Sequence, residues 1–212
     1  MKHITFYFDV VSPYAYLAFH KLPRALQGLS YSVAYRPVFL GGLLQYHGVR
    51  GPAEVPAKRD WLYRHVQWLA HAEGIALDLP VVHPFNPLPL LRLALACDPQ
   101  GLPSRHLTEA VFQHVWCGGA DAADPVRFAA LQQQRPLLRD PMGGEVKTAL
   151  KQATDAALQK GVFGVPAFEV DDKLFWGMDA LPMLRAYCAG DAWFDGPAWE
   201  AASRVAQAAG KG

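Results

Sequence analysis

His3-Ile4-Thr5-Phe6-Tyr7-Phe8-Asp9-Val10-Val11-Ser12-Pro13-Tyr14 holds a change of period that decides the fold. The first eight residues are apolar and β-rich, with Ile4, Phe6, Phe8 and Val10 on one face and Thr5, Tyr7 and Asp9 on the other. Ser12-Pro13 is then a helix start: serine at the N-cap, proline at the first helical position. Tyr14, Leu17, Ala18, Leu22 and Ala25 follow at helical spacing, and Gly28 is a natural stop. Tyr31–Arg36 alternates again as a second strand. One helix between two strands predicts parallel pairing through a right-handed crossover.

Beyond this opening the pattern changes twice. From about Glu54 to Gly161 the chain is patterned for helices, with Leu62, Val66, Leu69 and Ala70 forming one stripe opposite Asp60, Arg64 and His71. Further helices are expected over Leu88–Ala96, His106–Val115 and Glu145–Gln159, and His83-Pro84-Phe85-Asn86-Pro87 reads as a proline-stiffened irregular segment. The strand signal returns at Ala167–Val170, with a turn at Asp171-Asp172-Lys173, a return strand Leu174–Trp176, and a helix marked by Leu181, Leu184 and Cys188. The fold class expected is α/β: a thioredoxin-like domain from residues 1–53 and 162–212, with an all-α subdomain inserted over 54–161.

Composition narrows the function. The 212 residues are 51% hydrophobic and 18% charged, which excludes intrinsic disorder. Twenty basic against nineteen acidic residues, with no basic run, argue against a nucleic-acid partner. No apolar run approaches the ~18 residues of a membrane span. The amino terminus meets Asp9 too early for a signal-peptide core, so a soluble, cytoplasmic protein is expected. Cys97, Cys117 and Cys188 are an odd number without a Cys-x-x-Cys pair, and no His-Glu-x-x-His spacing occurs, so neither disulfide framework nor metal site is expected.

Ser12 stands where a strand becomes a helix, and such a side chain meets converging N–H groups and the positive end of the helix dipole. A thiolate is favoured there and a hydroxyl donates to it; an ordinary helix cap is the other, compatible reading. The window Ser12-Pro13-Tyr14-Ala15 has cysteine at neither end, so disulfide exchange is not expected. Taken alone, Val165-Pro166 reads as an ordinary trans bond; if the fold is thioredoxin-like, it stands where a cis proline before a strand faces this turn. Its backbone would pair with a peptide-like ligand as an added strand does. Asp179 is a carboxylate for a ligand ammonium, or a surface N-cap. Lys58, Arg59 and Arg92 are cations of the kind that hold a substrate carboxylate, though isolated basic residues on helices are usually solvated. Of Trp61, Trp68, Trp116 and Trp176, most are expected in the core.

Phe6–Ala18, Arg36-Pro37-Val38-Phe39-Leu40-Gly41-Gly42, Pro84-Phe85-Asn86 with Arg92, Val162–Pro166 and Phe175–Asp179 together resemble the 2-hydroxychromene-2-carboxylate isomerase family, related to kappa-class glutathione transferases. The resemblance spans nearly the whole chain in order. It implies a DsbA-type thioredoxin fold with a helical insertion, in a homodimer that binds glutathione, with Ser12 holding the sulfur as thiolate and Val165 and cis Pro166 binding the peptide backbone. Asp179, beside Met178, takes the γ-glutamyl end, and Lys58 lies near the glycyl carboxylate. It further implies a small aromatic acid substrate, placed by Tyr14, Asn86, Arg92 and Trp116. The implied reaction is cis/trans isomerisation of an aromatic conjugated keto acid: thiolate addition to the double bond, rotation, and elimination. A kappa-like transferase, or a thioredoxin-fold binding protein with an altered glutathione site, are the alternatives. The chain departs from the family pattern at Val49, His65, Met178 and Ala180 and in Cys117-Gly118-Gly119, where polar or acidic groups are usual. Each lost contact costs about 1 kcal/mol, so weaker glutathione binding is expected.

Overall fold

Lys2–Phe8 forms strand β1, and the chain turns through Asp9–Ser12 into helix α1, Pro13–Ala25. Strand β2, Tyr31–Pro37, returns parallel to β1 in the register Phe6↔Tyr35, as the opening pattern predicts. These elements come from a computed structural model, which describes residues 1–202 and residue 204. The last residues of the expected 162–212 segment therefore lie outside the described residues. Strands β3, Ala167–Val170, and β4, Lys173–Trp176, form a hairpin that adds antiparallel to the other side of β1, giving the order β2-β1-β3-β4. Asp171 and Asp172 at its turn both have positive φ, 48° and 65°. The architecture is α/β, of the DsbA-like thioredoxin kind.

Between β2 and β3 the described chain contains helices and no strand. Helix α2 is Leu40–Tyr46, α3 Pro56–Glu73, α4 Leu88–Ala96, α5 Arg105–Trp116, α6 Pro125–Gln133 and α7 Gly144–Gln159. Two of these, α2 and α6, carry no clear stripe in the sequence. α2 gains its N-terminal partners from outside, since the Phe39 N–H donates to Thr154 of α7 and the Leu40 N–H to Asp9. α6 is started locally by Asp124, whose carboxylate accepts from the Arg127 N–H. After the hairpin come α8, Leu181–Cys188, and α9, Pro197–Ala202.

The sheet is covered on both faces. Ile4, Phe6 and Phe8 join a large core with α1, α4 and α5, where Phe6 stacks on Phe168. Tyr7, on the opposite face, is buried in a smaller core with Val38, Leu43, Ala157, Val162, Val165 and Ala167. Burial raises the Tyr7 phenol, and its hydroxyl donates to Glu169, which also meets Lys160. The face carrying Tyr7 and Asp9 is thus a second interior. No helix among the described residues is long and apolar enough to cross a membrane.

Candidate active site at the start of the first helix

Ser12 caps α1 with its side chain, its Oγ accepting from the Ala15 N–H at 3.2 Å. The hydroxyl itself donates to the Val165 carbonyl at 3.4 Å. The Val165-Pro166 peptide is cis, as is His83-Pro84. A buried hydroxyl, the positive end of a 13-residue helix and the backbone of a second segment therefore converge on one point.

Three side chains hold the loop that carries Ser12, Trp116 and Asp9 buried and His83 half-buried. The Trp116 indole donates to the Val10 carbonyl at 2.9 Å. His83 Nε2 donates to the Val11 carbonyl at 2.7 Å, and its Nδ1 faces the Tyr63 hydroxyl at 2.9 Å. Asp9 accepts the Val11 N–H through Oδ1 at 3.0 Å and the Leu40 N–H through Oδ2 at 2.8 Å. Asp9 is 0% exposed. Burial pushes its carboxyl up to about 7, against the downward pull of the two N–H groups. Burial also lowers the His83 imidazole below its ordinary range, which favours the neutral ring.

The loop opens into a cavity of about 630 Å³ whose walls are Phe39 and Leu44, Val49 and Leu62, Phe85, and Phe163 with Trp176. Ser12, Tyr14, His83 and Asn86 supply polar groups, and Glu54 is a carboxylate at its edge. Gly164 lies where a Cβ would meet Trp176 Nε1 at 2.9 Å, so a side chain there would displace the indole. Aromatic walls around a few convergent polar groups suit an aromatic ligand.

Of the residues singled out in the sequence, Ser12, Tyr14, Asn86 and Val165 line this cavity, and Val49 does too. Asn86 is exposed, with Oδ1 accepting from the Leu88 N–H. Pro166 and Met178 are buried and Asp179 is exposed, and none of the three lines the cavity. Burial raises the Tyr14 phenol, and the Asp179 charge adds to the rise. His65 hydrogen-bonds the Tyr14 hydroxyl at 2.9 Å and is stacked between Trp61 and Trp68. Ala180 is half-buried at the start of α8.

Some placements differ from the sequence reading. Trp116 is 0% exposed and lies in the core, stacked on Tyr16 and tilted against His83, so it shapes the Ser12 loop and does not line the cavity. Arg92 is half-buried on α4, and Lys58 is exposed on the first turn of α3; neither lines the cavity. Trp61, Trp68 and Trp176 are 65%, 62% and 52% exposed, against the expectation that most of these tryptophans are core. Helical spacing records which residues share a face, and the face with Trp61 and Trp68 is the one that α3 leaves open. Asp9 and His83 are the residues the sequence reading passed over. The signal for Asp9 was a carboxylate ending an otherwise apolar run; for His83 there was none beyond its setting among prolines.

The chain matches the family model described as DSBA-like thioredoxin domain over residues 3–189. It is 30% identical to 2-hydroxychromene-2-carboxylate isomerase of Sphingobium xenophagum, the match covering 88% of this chain and 97% of that one. To glutathione S-transferase kappa 1 of Rattus norvegicus it is 26% identical, with 88% and 90% covered. A solved 2-hydroxychromene-2-carboxylate isomerase has the same fold, with a TM-score of 0.72 at 21% identity over 97% of this chain and 100% of that one. The chain belongs to the DsbA-like thioredoxin family, among the 2-hydroxychromene-2-carboxylate isomerases and their kappa-class glutathione transferase relatives.

Proposed function

We propose that this protein is a glutathione-dependent isomerase of aromatic conjugated keto acids, of the type that converts 2-hydroxychromene-2-carboxylate to trans-o-hydroxybenzylidenepyruvate. The observation that carries the reading is Ser12: its hydroxyl sits at the start of α1, opposite cis Val165-Pro166, at the wall of an aromatic cavity. The names of the relatives supply the substrate type and the cofactor.

The residues present fit a thiol tripeptide. Ser12 offers a donor at a helix N-terminus, where an anion is favoured. Val165 offers backbone beside a proline that presents it to the cavity. Gly177 has φ +95°, and a Cβ there would come within 2.3 Å of Asp179 Oδ1, so the missing side chain leaves room for that carboxylate. Asp179 then suits an ammonium group. When bound, glutathione supplies the thiolate that adds to the conjugated double bond and leaves again after rotation. Ser12 lowers the cost of the thiol's charge, the aromatic walls orient the ring, and the apolar lining excludes water from the reacting bond.

The test is thermal unfolding with and without millimolar glutathione, followed by turnover of a benzylidenepyruvate. At a hundredfold excess over Kd, binding adds about 2.7 kcal/mol and raises Tm by several degrees. Ser12→Ala is expected to lower kcat/KM by about 10²–10³-fold, with a loss of stability near 1 kcal/mol for the cap. Glutathione recovered in full identifies an isomerase, and glutathione consumed a transferase. No thermal shift at any concentration, or an unchanged kcat/KM in the Ser12 variant, refutes the reading.

A further inference from the structure

Among the described residues, the aromatic cavity has no lysine or arginine in its wall. Its one carboxylate, Glu54, carries a negative charge, and the nearby Arg50 is spent on the Glu54 backbone carbonyl at 2.6 Å and its carboxylate at 3.8 Å. An acid group seated in that chamber would lose its hydration and meet a like charge. The ring of an aromatic acid suits the chamber, whereas the carboxylate does not.

A second, smaller cavity of about 300 Å³ adjoins it, with His83 as a wall common to both. Its lining includes Arg59 and Tyr63, which stand one turn apart on α3, and Leu79 and Pro80 from the segment after it. Arg59 is half-buried and makes no ion pair and no side-chain hydrogen bond among the described residues. Its charge is nonetheless felt by the Tyr63 phenol, which it pulls downward against the larger upward effect of burial. The Tyr63 hydroxyl is engaged with His83, 2.9 Å from Nδ1 and 3.0 Å from the carbonyl oxygen, so it fixes the imidazole between the chambers and leaves the guanidinium as the free polar group. Lys58 and Arg92 line neither cavity.

We infer that Arg59 is the carboxylate-binding residue of this protein: the acid group of an aromatic acid enters the Arg59–Tyr63 side chamber past His83, while its ring lies in the aromatic chamber. The inference rests on the aromatic keto acid reading of the main site and adds the residue that selects for the acid. A guanidinium pairs a carboxylate through two parallel N–H groups, which a lysine or an exposed cation does not reproduce. Because the cation is already half out of water and unpaired, a carboxylate gains more from it than from a surface charge.

The experiment is calorimetric titration of benzylidenepyruvate and of its methyl ester into the protein without glutathione. The wild-type chain is expected to bind the acid at least tenfold more tightly than the ester. Arg59→Met is expected to weaken the acid about tenfold, leave the ester unchanged and so erase the preference, while Arg64→Met, an exposed cation on the same helix, preserves it. Arg59→Lys is expected to restore only part of it. Circular dichroism and Tm of each variant report folding separately. Equal affinity for acid and ester in the wild-type chain, or an acid preference that survives Arg59→Met, overturns the inference. The thiol chemistry stands apart, since failure of glutathione to shift Tm refutes the isomerase reading while leaving an Arg59-dependent acid preference in place.

Discussion

His83 Nε2 lies 2.7 Å from the Val11 carbonyl oxygen, across 72 positions of sequence, while Asp9 takes the N–H of the same residue. Val11 is therefore gripped at both polar groups, one residue before Ser12. Replacing His83 by leucine keeps the volume roughly and leaves the carbonyl without its donor. A stability loss of about 1–3 kcal/mol is expected from urea unfolding. Because the ring also holds the geometry of the Ser12 loop, kcat is expected to fall more than KM rises. A variant as stable and as active as the parent would show that the contact does neither.

Asp9 predicts a pH dependence with an unusual sign. Its carboxyl is raised from 3.8 to about 7 in the fold, so between those values the native state holds a proton that the unfolded chain has released. Stability from this group is present below about pH 4 and is lost as pH rises through 7, by ~4 kcal/mol at most from the size of the shift. Comparing the parent with Asp9→Asn at pH 5 and pH 8 isolates it. The parent is expected to lose more stability than the variant over that interval, and equal losses would contradict the raised value.

Trp116→Phe removes the indole donor from the Val10 carbonyl and part of a fully buried ring. A loss of about 2–4 kcal/mol is expected in denaturant unfolding. Ligand binding measured well below the new Tm is expected to weaken only through the Ser12 loop, since the ring is away from the cavity wall.

Asp172 holds φ +65° at the hairpin turn, a region that costs a side-chain-bearing residue about 1 kcal/mol or more. Its neighbour Asp171 has contacts with Lys2 and Tyr187 to keep it there; the Asp172 side chain has no hydrogen bond or ion pair among the described residues. Asp172→Gly is expected to stabilise by about 0.5–1 kcal/mol, or roughly 1–4 °C in Tm. A lower Tm would mean that the chain entropy lost by glycine outweighs the relieved strain.

The sequence made particular elements legible for identifiable reasons. Ser12-Pro13 marked the start of α1 because capping chemistry is local, and Leu88–Ala96 and Ala167–Val170 were bounded by their own turn residues. α2 was hidden because its N-terminal N–H groups are satisfied by Asp9 and Thr154, 31 and 115 positions away. The same distance effect hid how the residues group. Ser12, Val165 and the cation Arg59 stand out one by one, whereas Arg59, Tyr63 and His83 become neighbours only when α3 and the Pro80–Pro87 segment pack. The resemblance put Trp116 at the substrate, and its indole is instead the donor to an interior carbonyl, that of Val10.

The meeting of Ser12 with Val165 also bears on how the chain is born. Their segments, β1 and β3, lie more than 150 positions apart and pair only when both are available. Closing so long a loop is entropically costly, and such topologies assemble late. During synthesis β1 has β2 as its early neighbour, and the other edge stays open until the hairpin leaves the ribosome. Chains halted before Val165 therefore carry Ser12 without the backbone that faces it. Appearance of activity is a clock for completion of the sheet, and nascent chains of increasing length are expected to acquire it in a single step.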